Sequence, residues 1–340
     1  MSLPPSEIPQ GAIRFNTDSQ RLEFYAQGEW WVMSTDTPNL GRGVDSTPGA
    51  RGINGGGTAA SPVNRTNVID YINIASLGDA INFGDLTENR DNWGGNGASS
   101  STRGLFIGGN PGSNFSNTID FVTISSTGNT QDFGDTVTAL RRHGAASNAT
   151  RGLYFGGQTP TDQDLIGYVT IASTGDAQDF GNLTSTRHGH MAGCGSPIRT
   201  LAAGGDTVNN IDMITISTLG DAQDFGDLLE ARWGVTGCSN ATRGIFAGGF
   251  GPDRSDTIQY VTIATAGNAT NFGNLLAANY IQGGSSSPTR SVFAGGNPTP
   301  TQTNVIEYVE IMTEGNSVDF GDLTVARYNP SSFSNAHGGL

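Results

Sequence analysis

The chain contains no lysine: all 17 of its basic residues are arginine, set against 31 acidic ones for a net charge of −14. So acidic a surface repels phosphate backbones and anionic lipids. Neither nucleic acid nor a membrane is therefore an expected partner. No apolar run reaches the ~18 residues that would span a bilayer. The opening stretch MSLPPSEIPQG has neither a basic n-region nor an apolar h-region, so it does not read as a secretion signal. Cysteine is nearly absent, and Cys194 and Cys238 make neither a disulfide framework nor a zinc pattern. Hydrophobic residues reach only 35%, which would suit disorder. The 50 glycines argue otherwise, because they recur at fixed spacing.

Two markers set that spacing. Asp/Asn-Phe-Gly-Asp/Asn has its Phe at 83, 133, 180, 225, 272 and 320. An Arg followed five residues later by Gly-Gly stands at 51, 103, 151, 199, 243 and 290. Both occur six times with a period of about 47, the mark of a solenoid, an array or a propeller. Each copy reads as four strands, for instance HGAASNAT (143–150), RGLYFGG (151–157), IGYVTIAS (166–173) and DAQDFGNL (176–183). The third strand is apolar on both faces: Ile69 and Tyr71 share one, Ile72 and Ile74 the other. It must be covered on both sides. A glycine turn follows, so the third and fourth strands form a hairpin. The first strand carries small residues at Ser46, Ala98, Ala146, Cys194, Cys238 and Ser285. Such residues suit a crowded axis, and they give the two cysteines a structural explanation.

The order of small strand, apolar-Gly-Gly strand, third strand, aromatic and then Leu-x-x-Arg resembles the kelch repeat over residues 41–340, with Phe where that family usually has Trp. The resemblance implies an all-β fold, a six-bladed kelch-like β-propeller. Closure is open to two readings. The segment RYNPSSFSNAHGGL (327–340) aligns with a first strand and the start of a second, and GVDSTPGA (43–50) also reads as a first strand. Either both share a closing blade, or the two ends of the chain assemble a seventh; six is preferred.

Residues 1–40 form a separate anchoring or oligomerisation segment. GAIRFNTDSQRLEFYAQGEWWVM (11–33) reads as three short strands with turns at 17–19 and 27–28. Its apolar load is too heavy for so small a unit to bury alone. The motif resembles a short module of phage tail-fibre and other virion proteins, where it commonly sits in homotrimers. That resemblance implies a virion protein, a homotrimer assembled in the host cytoplasm, contacting other virion proteins through residues 1–40.

No catalytic set emerges. His188 and His190 alternate on one strand face, but no third metal ligand is evident, and no cofactor is expected. The loop acids Asp162, Asp164, Asp206 and Asp253 read as solvated charges. The Arg before each second strand (Arg103, Arg151, Arg243) and the acid after DFG (Asp85, Asp135, Asp227, Asp322) recur too often for catalysis, and should bridge blades through carboxylates or backbone. Positions that vary between copies are free of that duty. Directly after the Arg that follows DFG, a position held by Asn279 in the fifth copy, stand Asp91, Arg142, His188, Trp233, Tyr280 and Tyr328. These should ring one mouth of a central channel, beside the variable loops 58–67, 110–117, 158–164, 206–209, 250–256 and 297–303. The expected function is a non-enzymatic tail fibre or similar projection, whose propeller binds a host surface glycan or protein. The alternatives are a purely structural head, neck or tail decoration, and a glycan-processing enzyme.

Overall fold

The computed structural model describes residue 9, residues 11–32 apart from 17–20, 50–91 apart from 61–63, 96–112, 115–299 apart from 207, and 301–340. The chain divides into two units, Met1–Thr47 and Pro48–Leu340.

In the first unit β1 (Ile13–Asn16), β2 (Arg21–Ala26) and β3 (Glu29–Val32) form an antiparallel meander. Gln27 and Gly28 turn between β2 and β3 with φ of 56° and 85°. The Arg14 guanidinium pairs with Glu23 at 2.8 Å and lies over the Trp30 ring. Ile13 and Phe15 are 63% and 59% exposed.

The second unit is all-β, with six antiparallel four-stranded sheets among the described residues, an arrangement compatible with a β-propeller. The first sheet joins β4 (Arg51–Gly55), β6 (Val68–Asn73), β7 (Ile81–Asp85) and, from far along the chain, β29 (Ser331–Ser334). A two-residue strand β5 (Thr58–Ala59) pairs with β28 (Arg327–Tyr328). The second sheet holds β8 (Ala98–Ser99), β9 (Arg103–Gly109), β10 (Ser116–Thr123) and β11 (Gln131–Leu140). The third holds β12 (Gly144–Ser147), β13 (Arg151–Phe155), β14 (Leu165–Thr170) and β15 (Gln178–Asn182). The fourth holds β16 (Ala192–Gly195), β17 (Arg199–Ala203), β18 (Asn210–Thr215) and β19 (Gln223–Asp227). The fifth holds β20 (Thr236–Ser239), β21 (Arg243–Ala247), β22 (Ser255–Thr262) and β23 (Thr270–Asn279). The sixth holds β24 (Gly283–Ser286), β25 (Arg290–Ala294), β26 (Val305–Glu310) and β27 (Val318–Asp322).

The DFG motif is a β-bulge. Ile69 pairs with Gly84 and Asp70 with Asn82, so Phe83 has no partner across the ladder, and the other five sheets repeat this. The extra residue turns inward: Phe83, Phe133, Phe180, Phe225, Phe272 and Phe320 are 2–3% exposed. Five of them meet the third-strand aromatic edge-on, as Tyr168 meets Phe180 at 5.7 Å.

Sheets are joined to their neighbours by the same devices each time. The Arg that opens the second strand donates from Nη1 to the carbonyl of the Ile after the next sheet's third strand: Arg51 to Ile124, Arg103 to Ile171, Arg151 to Ile216, Arg199 to Ile263, Arg243 to Ile311 and Arg290 to Ile74. Its acceptor is thus backbone. The acid after DFG contributes its backbone N–H instead, which donates to the turn Asp or Asn of the next sheet: Asp85 to Asn129, Asp135 to Asp176, Asp227 to Asn268 and Asp322 to Asp79.

The innermost strands carry a belt of serines. Ser147 Oγ donates to Ser99 O, Ser239 Oγ to Gly195 O, Ser286 Oγ to Ser239 O, Ser334 Oγ to Ser286 O and Ser99 Oγ to Ser334 O. Ala98, Ala146, Cys194, Cys238 and Ser285 are buried there, and both cysteines are free thiols. Phe333 takes that position in β29, over Gly97 and Gly104. Ser46 and the strand read at 43–50 lie outside the described residues except for Ala50. Residues 335–340 do not begin a second strand. They turn inward instead, His337 Nε2 lying 3.0 Å from Ser99 O and Gly338 N donating to Ser239 O.

Candidate functional site

The turn from each fourth strand to the next first strand lies against the loop that follows Gly-Gly. Asp91 bridges to Asn110, Arg141 to Gln158, Trp233 to Phe250 and Tyr328 to Thr58, while Asn297 N donates to Tyr280 O. One residue of the expected set is out of register. In the second sheet Leu140 occupies the position of Arg90, since Leu140 faces Ser116 as Asn279 faces Ser255. The residue of the second sheet equivalent to Asp91 is consequently Arg141, and Arg142 is the next residue, at a positive φ of 61°.

The structure brings these residues into two groups. The aromatic group joins Trp233, Phe250 and Tyr280, with ring centroids 5.1–5.4 Å apart. Such edge-on and tilted contacts fix ring orientation. Arg254 lies 5.2 Å over Tyr280 and donates from Nε to Asn297 O, while Asn297 Nδ2 donates to the Tyr280 hydroxyl. All three rings are half-buried. A cavity of about 390 Å³ adjoins them, lined by Phe250, Asp253, Arg254, Ala277, Ala278, Pro298 and Thr299.

The charged group joins His188, Asp162 and Asp206, with His188 Nδ1 2.9 Å from Asp162 and 3.7 Å from Asp206. Burial lowers the pKa of Arg142, and Asp206, Asp91 and Asp162 offset that in part. Asp91 is itself buried, paired with Arg65 at 3.0 Å and accepting from Thr58 Oγ1. His190 links the groups, its ring 6.1 Å from Trp233; burial and Arg142 push its pKa well below the usual histidine value. Tyr328 joins neither group.

The space between the first strands is narrow. Asn96 Nδ2 donates across it to the carbonyls of Gly193 (2.6 Å) and Gly237 (2.9 Å), in a cavity of about 40 Å³ lined by small residues, Phe333 and His337. That space holds no ligand larger than water. The two groups stand on the turns at 188–190, 233–234 and 280–281. There the backbone is locked by a chain of bonds, Gly234 N to Gly189 O, Ile281 N to Gly234 O and Asn329 N to Ile281 O. Ile281 sits at φ 55°, a costly conformation for a β-branched residue.

Phe250, Arg254 and Asn297 were not singled out by the sequence, although they lie in the expected loops 250–256 and 297–303. A signal for Phe250 was present: after Gly-Gly the six copies read Thr58, Asn110, Gln158, Asp206, Phe250 and Asn297, with one aromatic among polar residues. No protein-family model matches the chain, and no curated protein matches it.

Proposed function

We propose that residues 48–340 form a six-bladed, kelch-like β-propeller that binds a host surface glycan or protein at one mouth, on a phage virion projection. The repeated sheet-to-sheet bonds support the architecture, including those from the sixth sheet to the first (Arg290 to Ile74, Asp322 to Asp79). β29 supports six blades over seven, since it already fills the inner place of the first sheet. The N-terminal unit anchors or trimerises, and the exposed Ile13 and Phe15 support that role.

One observation carries the binding reading: the aromatic platform of Trp233, Phe250 and Tyr280 beside charged and amide groups, with Phe250 also lining a cavity of about 390 Å³. Aromatic faces with a few fixed polar groups suit sugar rings and peptide side chains alike. Trp233→Ala and Tyr280→Ala are expected to weaken adsorption to host cells about 30-fold, a loss of roughly 2 kcal/mol for a central aromatic contact. Unchanged adsorption by both correctly folded variants would exclude this face.

A further inference from the structure

The charged group carries a separate function, which does not rest on glycan or receptor binding. Asp162 comes from the loop between β13 and β14, His188 from the turn between β15 and β16, and Asp206 from the loop between β17 and β18. One ligand-type atom of each lies within 4.8 Å of the other two. His188 Nδ1 has almost no solvent contact and makes no hydrogen bond of good geometry, although two carboxylates close on it at 2.9 and 3.7 Å. An imidazole nitrogen carries at most one proton, so it can serve only one of those carboxylates as a donor. The carboxylates remain open to solvent, their side chains 39% and 50% exposed.

We propose that His188 Nδ1 and one oxygen each of Asp162 and Asp206 hold a divalent transition-metal ion, Zn²⁺ or Mn²⁺. One imidazole with two carboxylates suits borderline ions of this kind. Three protein ligands leave open coordination positions for water or an incoming group. The site faces solvent beside the aromatic platform, through His190. Arg142 is the resident competitor, because its guanidinium interacts with both carboxylates.

The test is calorimetric titration of the full chain with ZnCl₂, and of MnCl₂ followed by electron paramagnetic resonance. The expected result is one ion per chain. Asp162→Asn and Asp206→Asn, near-isosteric and at exposed side chains, should each weaken binding by at least about tenfold. His188→Ala should do the same, and circular dichroism should stay unchanged in all three. Arg142→Met should tighten binding, which a simple His–Asp contact would not show. Absence of saturable binding of both ions below about 1 mM would overturn the proposal. So would binding that survives in the His188→Ala/Asp206→Asn double variant, or that is not tightened by Arg142→Met.

Discussion

Arg187 and Asp212 meet at 2.6 Å with side chains no more than 1% exposed, and the same buried pair recurs as Arg90 with Asp120 and Arg327 with Asp70. A threonine hydroxyl satisfies each carboxylate further: Thr184, Thr87 and Thr324. Removing one partner strands a buried charge, so Arg187→Leu is expected to cost about 3–5 kcal/mol in urea unfolding. Arg187→Leu with Asp212→Ala should cost less than Arg187→Leu alone. The chain already contains such an exchange: at the junction of the second and third sheets Leu140 and Gly167 replace the pair, and Tyr154 fills the gap, its hydroxyl accepting from Val137 N. A second residue-scale prediction concerns acid. Burial lowers the pKa of His143 and His337 to about 4, and neither nitrogen of His143 has a hydrogen-bond partner among the described residues. Above the unfolded value near 6.5 both states are neutral and nothing changes. As pH falls towards 4 the unfolded chain takes up the proton first, so each histidine removes on the order of 3 kcal/mol of stability. Asp120 and Glu307, whose pKa burial raises, act in the opposite sense at the acid end of that window. Melting temperature against pH should therefore fall less steeply between 6.5 and 4 in His143→Leu than in the parent. The sequence could not show which histidine is buried, because burial here comes from neighbouring sheets.

At the scale of the element, the fourth strand was the most legible and still partly misread. Its Phe and Gly announced themselves by recurring, but as marks of a repeat. Their physical reason is the bulge, which sends the ring between sheets and brings the glycine against the next hairpin. A Cβ on Gly226 would stand 2.5 Å from Gly267 O, and one on Gly181 2.4 Å from Gly220 O. Gly226 also holds φ at 146°, where side chains are strained. Gly226→Ala is thus expected to destabilise by roughly 1–3 kcal/mol in the same urea assay. Arg142 was misplaced for an equally local reason. The reading followed the Arg after DFG, whereas the ladder follows position, and Leu140 holds that position in the second sheet. Counting from the DFG Phe shows the offset in the sequence itself: the other five residues of the set stand eight positions on, and Arg142 nine. Likewise Asp162 and Asp206 could be named from the sequence but not joined to His188, since their loops meet only after the third and fourth sheets have packed.

For the whole molecule, the repeat count and the four-strand unit were readable because each copy spells the same bonds. How the first sheet is completed was not, because two segments spelled the same strand. The structure uses β29, paired with β4 from Ser331↔Gly55 to Ser334↔Gly52. Deleting residues 329–340 leaves β4 with an open edge and removes Phe333 from its packing against Phe106. Loss of cooperative melting and concentration-dependent light scattering are expected. Retention of a sharp parental transition would show that the strand is dispensable. The pairing also has a consequence for biosynthesis. β29 is translated some 280 residues after β4, at a rate of roughly 5–20 residues per second. The earliest of the four-stranded sheets to leave the ribosome is then the last to be finished. It waits for many seconds with a bare flank, while five later ones can complete themselves in order.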